Sequence, residues 1–156
     1  MAVKWTRDTL KGTTKTQGDF NLAHRFSVEI EGVAIGGVHK IEGLDHESEV
    51  VEYHDGEDGV THFRPGRQKQ GRLRIEKDFS STKEFFMWRK TVIDGKVERK
   101  SISIIIHNDA GEESMRYNFF ECWPCKYTGP SLNARNSAHA TEALEILFEN
   151  YDMTTK

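Results

Sequence analysis

Ser101–Trp123, SISIIIHNDAGEESMRYNFFECW, is the stretch on which the fold class turns. Ile102, Ile104 and Ile106 keep one parity, and so do Met115, Tyr117 and Phe119. Side chains of one parity share a face of an extended strand, so each run reads as a half-buried strand. Between them, Asn108–Glu113 (NDAGEE) carries turn chemistry. The stretch is therefore expected to be an antiparallel hairpin.

Working outward, the same pattern recurs. Phe26, Val28 and Ile30 share one face, with Ser27, Glu29 and Glu31 on the other. In Val33–Leu44 (VAIGGVHKIEGL) the Gly36-Gly37 pair marks a bulge or bend inside β structure. Glu47–Tyr53 (ESEVVEY) reads as a polar strand running into the turn-rich His54–Gly59. Leu73, Ile75 and Phe79 keep one parity in Arg72–Phe79, and Leu144, Ile146 and Phe148 do so in His139–Asn150. The latter run also fits a short helix through Ala143, Leu144, Leu147 and Phe148, and strand is the preferred reading. Only Ser80–Asp94 reads clearly as helix. Ser81 and Glu84 stand in capping-box spacing, Phe85, Trp88 and Val92 form a stripe, and Gly95 ends it. The expectation is a mostly antiparallel β domain over residues 19–156 with one helix, preceded by a polar arm, residues 1–18.

Composition narrows function by exclusion. The chain of 156 residues carries a net charge of -3, which gives no whole-molecule case for binding nucleic acid or a membrane. No apolar run approaches the roughly 18 residues of a membrane span, and no signal-peptide core opens the sequence, so synthesis in the cytoplasm is expected.

Glu121–Gly129 (ECWPCKYTG) holds both cysteines in a Cys-x-Pro-Cys spacing. A thioredoxin-type site needs the first cysteine at a helix N-terminus, whereas Gly129-Pro130 and a patternless segment follow here. On a strand, residues three apart lie roughly 10 Å apart, beyond the about 7 Å that a disulfide spans. Free thiols are expected, with Cys122 on the mixed face beside Arg116, Asn118 and Phe120, Trp123 turned toward the core, and Pro124 at a strand end or edge. The seven histidines show no metal-ligand spacing, and His54 and His62 read as loop residues beside an acidic turn. No phosphate loop, nucleophile elbow or His-Glu-x-x-His occurs. No catalytic residue, metal ligand or cofactor site is assigned.

Charge is segregated along the middle of the chain. Glu42–Asp58 holds eight acidic residues and no lysine or arginine, and Arg64–Lys77 holds six basic residues with Glu76 as its one acid. The two runs could pair across a hairpin, or one subunit's acidic run could meet its neighbour's basic run in a head-to-tail assembly. The sequence gives both readings comparable weight. The candidate assembly residues are Glu47, Glu49, Glu52, Tyr53, Asp55, Arg64, Arg67, Lys69, Arg72 and Arg74.

One ordered set of strings carries a resemblance: FSVEIEG, GGVHKIEGL, EVVEYHDG, RPGRQKQGRLRIEK, FFMWRKTVIDG, ISIIIHNDAGEE, RYNFFECWPCKYTGPSLNA and TEALEILFEN. From Asp19 to Asn150 the chain resembles the tail tube protein family of contractile phage tails and contractile injection systems, to which the type VI secretion inner tube is related. The resemblance implies a two-sheet β-barrel or sandwich with one flanking helix, and an extended hairpin over about Glu49–Leu73 that reaches a neighbouring subunit. It implies hexameric rings stacked into a hollow tube inside a contractile sheath, with sheath, baseplate or initiator, and tape-measure or cap proteins as partners. DNA or effector protein would pass through the lumen. The arm over residues 1–18 is longer than the family pattern, and Asn136–Glu142 departs from it, so the resemblance does not fix how the last strand pairs. A monomeric β-barrel binding module is the alternative; a thiol oxidoreductase using Cys122 and Cys125 is a weaker one.

Overall fold

The computed structural model describes residues 25–57 and 59–155, so the expected N-terminal arm lies outside the described residues. The strands are β1 (Phe26–Ile30), β2 (Val33–Ile35), β3 (Val38–Glu42), β4 (Glu47–His54), β5 (Thr61–Lys69), β6 (Arg72–Asp78), β7 (Lys100–His107), β8 (Glu113–Thr128), β9 (Thr141–Leu147) and β10 (Asn150–Thr155). The helix α1 spans Glu84–Ile93 between β6 and β7. All strand pairs are antiparallel, and the fold is mainly β with one helix.

The main sheet runs β2-β1-β7-β8-β9-β6-β3, with β10 also on β8, and it folds over on itself as an open sandwich. Strand β8 makes the fold-over. Its first part pairs with β7 and β10, and its last part, from Trp123, pairs with β9. The register slips between the Lys100–Cys122 and Ile102–Phe119 pairs, where Glu121 adopts a left-handed φ of 54°. That β-bulge bends the strand and resets its parity, as corner strands between sheets require.

The bulge corrects the expected cysteine placement. Cys122 lies fully buried on the Phe119 side, not on the mixed face, because one extra residue at the bulge shifts the alternation. Trp123 is only half-buried, and Pro124 sits inside the strand opposite Ile146, not at its end, on the edge length of β8 that pairs with β9 alone.

The hydrophobic core joins Val28, Ile102, Ile104 and Phe119 to Leu73, Ile75, Leu144, Ile146 and Phe148 across the sandwich. Phe85 and Trp88 of α1 close the cluster, the stripe that the sequence predicts, with Val92 half-buried behind them. The capping box does not form. Lys83 occupies the N-cap without a side-chain bond, because Ser80–Thr82 turns over the Lys77 ammonium, whose Nζ donates to Thr82 Oγ1 at 3.3 Å. The Gly36-Gly37 pair is a turn between β2 and β3, with Gly37 at φ 78°. The last run is strand, as preferred: β9 lies between β6 and β8. Beyond it, β10 is a further, exposed strand.

One charged pair is sealed in the core. Lys77 and Glu142 stand directly opposite on β6 and β9, 1% and 3% exposed. Lys77 Nζ lies 3.3 Å from Glu142 Oε1 and over the Phe85 ring, while the Tyr127 hydroxyl donates to Glu142 Oε2 at 2.9 Å. Oε1 itself is held by charge alone, without an aligned hydrogen bond.

Candidate assembly surface

Strands β4 and β5 pair only with each other and project from the main sheet as a two-stranded ribbon. Glu47–His54 is exposed along its whole length, unlike any other strand of eight residues or more. A lone two-stranded ribbon is marginally stable in water. This one also exposes Val50, Val51, Tyr53, Val60 and Phe63. A cluster of exposed apolar side chains on a projecting ribbon is the signature of a surface made to be covered.

The register decides how the segregated charges meet. Glu47 faces Lys69 and pairs with it at 3.1 Å. Further out, Glu52 faces Phe63, and Val51 faces Arg64, whose guanidinium lies 4.5 Å from the Tyr53 ring centroid. The slip between the Ser48 and Val50 pairs, at Gly66-Arg67, carries the acidic and basic residues out of alignment. Glu49, Glu52, Asp55 and Arg67 form no ion pair among the described residues. Intramolecular pairing thus accounts for the base of the ribbon and not for its outer half. Arg72 and Arg74 lie beyond the ribbon, at the start of β6. Both meet Glu145 of β9, at 3.7 and 3.3 Å, so their charge is already engaged within the subunit.

The ribbon is anchored at its root. Gly43 has φ 92°, and a Cβ there would lie 1.8 Å from the Arg72 carbonyl oxygen. The His46 ring stacks on Tyr151 of β10 at 3.7 Å, and Tyr151 in turn packs edge-on against Phe148. Strand β10 thus clamps the arm to the core, a role no motif announces.

The other sequence candidates separate. Tyr53 is opposite His62 and His54 is opposite Thr61, so the two histidines point to opposite faces of the ribbon. They cannot share a metal ion from there. Cys122 is sealed in the core and burial pushes its thiol up to about 12, the reverse of what a thiolate nucleophile needs. Half-buried Cys125 donates to the Glu145 carbonyl at 3.4 Å. Because burial and a carboxylate partner raise Tyr127 to about 12 as well, both groups favour the folded state while uncharged. Their contribution is full below their ordinary values near 9 and 10 and is lost as pH rises toward 12. We expect alkaline unfolding in that window, with Cys122 resisting iodoacetamide at pH 8 while Cys125 reacts. Equal labelling rates by mass spectrometry would contradict the buried placement.

The comparisons agree with this geometry. The family model of the T4-like virus tail tube protein gp19 matches residues 22–152. A chain of the PVC sheath/tube terminator structure of an extracellular contractile injection system, in the extended state, is similar with TM-score 0.78 and 28% identity over 86% of this chain and 96% of that one. A chain of the PVC sheath–tube complex is similar with TM-score 0.79 and 24% identity, over 98% of this chain and 100% of that one. Hcp1 from Flavobacterium johnsoniae shares the fold at TM-score 0.54 and 20% identity, over 85% and 96% of the two chains. The comparison with curated proteins gave no match. An open antiparallel sandwich with one helix and an uncovered projecting ribbon is the shape of a subunit that polymerises, and the chain belongs to the T4-like virus tail tube protein gp19 family, as an inner-tube subunit.

Proposed function

We propose that six copies close into a ring, that rings stack into a hollow tube within a contractile sheath, and that the subunit has no catalytic activity of its own. The observation that carries this reading is the β4–β5 ribbon, which pairs with no other strand among the described residues and exposes Val50, Val51 and Phe63. Identical subunits with a heterologous contact close laterally or grow axially according to the rotation at that contact. Glu49, Glu52, Asp55, Arg64 and Arg67 form the assembly surface, with Glu47, Tyr53 and Lys69 setting the ribbon's shape. Arg72 and Arg74 support it from below through Glu145. Sheath, baseplate or initiator, and cap or tape-measure proteins contact the finished tube, and DNA or effector protein passes through it. No helix among the described residues is long and apolar enough to cross a membrane, and the subunit's destination is the assembled particle.

Negative-stain microscopy of the purified chain over a concentration series tests the proposal. Six-fold rings or tubes are expected. A single monomeric species at every concentration would favour a monomeric binding module instead.

A further inference from the structure

A second exposed surface lies along the last part of β8. There β8 pairs with β9 on one side only, and α1 packs against it, with Phe86 edge-on to Tyr127. A groove follows this junction. One part is lined by Phe79, Ser80–Lys83, Phe86, Tyr127 and Glu142, and its continuation by Phe86, Arg89, Lys90, Ile93, Cys125 and Lys126. The floor is aromatic and aliphatic, with Phe79, Phe86 and Ile93 each about half exposed or more.

The rim carries one sign of charge. Lys83, Arg89 and Lys90 have no ion-pair partner among the described residues, and Lys126 reaches Glu145 only at 3.9 Å. The one carboxylate of the lining, Glu142, is buried and already engaged by Lys77 and Tyr127. An apolar floor with a cationic rim suits an acidic segment that brings apolar side chains with it.

The chain contains such a segment. The β4 side of the ribbon's outer half, from Glu49 through the turn to Val60, exposes Val50, Val51 and Val60, and Arg64 on the facing strand lies over the Tyr53 ring. The β4 side bears Glu49, Glu52, Asp55, Glu57 and Asp58 with no lysine or arginine. The N-terminal segment before the described residues fits less well, because Lys4, Arg7, Lys11 and Lys15 outnumber Asp8 and Asp19 there. We propose that the acidic tip of the β4–β5 ribbon of one copy docks in the α1–β8 groove of a second copy, between the Phe86 floor and the Lys83–Lys90 rim. The proposal rests on the tube reading and names the receptor for its ribbon.

The test uses the full chain with Cys125→Ser to remove the half-buried native thiol. One preparation adds Asp55→Cys, the other Lys126→Cys. The two are mixed, assembled, oxidised mildly and run on a non-reducing gel. A disulfide-linked dimer band in the mixture, absent from either preparation alone, is expected. Rings or tubes without that band would overturn the docking while leaving the tube reading intact; absence of rings or tubes in the unmodified chain would overturn the tube reading itself. A band between Lys126→Cys and a cysteine placed at Thr13, with none to Asp55→Cys, would assign the groove to the N-terminal segment and also overturn the proposal. A charge exchange guards against cysteine variants that fail to assemble. Lys83→Glu with Lys90→Glu should raise the assembly concentration about tenfold or more, and Asp55→Lys with Glu57→Lys in the same chain should restore it. Unchanged assembly in the first variant, or no recovery in the second, would count equally against the docking.

Discussion

Lys77→Ala is expected to lower the stability of the isolated subunit by about 3–5 kcal/mol, the cost of leaving a buried carboxylate without its counter-ion. Glu142 is 3% exposed, and after the change only the Tyr127 hydroxyl would hold it. Against a typical total of about 5–15 kcal/mol, that loss removes a large share of the fold's stability. The paired change Lys77→Met with Glu142→Leu should behave differently. It removes both desolvation costs and leaves side chains of similar volume, so stability should return to within about 1 kcal/mol of the parent or rise above it. Urea unfolding of the three proteins decides the matter. A single variant that loses under about 1 kcal/mol would mean that water reaches the pair.

Gly43→Ala should be nearly as costly. A left-handed φ costs a side-chain-bearing residue about 1–2 kcal/mol. The new Cβ, 1.8 Å from the Arg72 carbonyl oxygen, adds a backbone displacement of about 1–3 kcal/mol. The strain falls where β3 leads into the ribbon, so the core should survive while the ribbon leaves its clamp on Tyr151. The readouts are a melting midpoint lowered by roughly 2–4 °C for each kcal/mol and a loss of rings by microscopy. A variant that melts and assembles like the parent would show that the root is not rigid.

Much of this was legible in the residues. Alternation located the strands around Val28, Ile104, Phe119, Ile75 and Leu144, and each of these is buried. The buried ion pair was not read from the sequence, where Lys77 only ended the basic run and Glu142 had no role, yet the strand phase carries it. Lys77 lies in phase with Leu73 and Ile75, and Glu142 in phase with Leu144 and Ile146, so both had to point inward. Cys122 was misplaced because a bulge leaves no mark when its left-handed residue is Glu121 and not glycine. Strand β10 escaped because its only large apolar residues, Tyr151 and Met153, are not buried, and its order comes from pairing with β8. The candidate ribbon emerged from charge segregation, but the missing ion pairs of its outer half depend on a register slip at Gly66-Arg67. The groove was out of reach, since α1 and the end of β8 meet only in three dimensions.

Strand β8 gives the subunit a load path. A pull that would slide one layer of the sandwich past the other must stretch a covalent backbone that crosses from β7 and β10 to β9 without a break. The body, with the close-packed ribbon root at Gly43 and Gly71, therefore moves as one stiff piece under axial force, and compliance is left to whatever the ribbon grips. A rod built from such pieces bends at its joints while its bricks keep their shape.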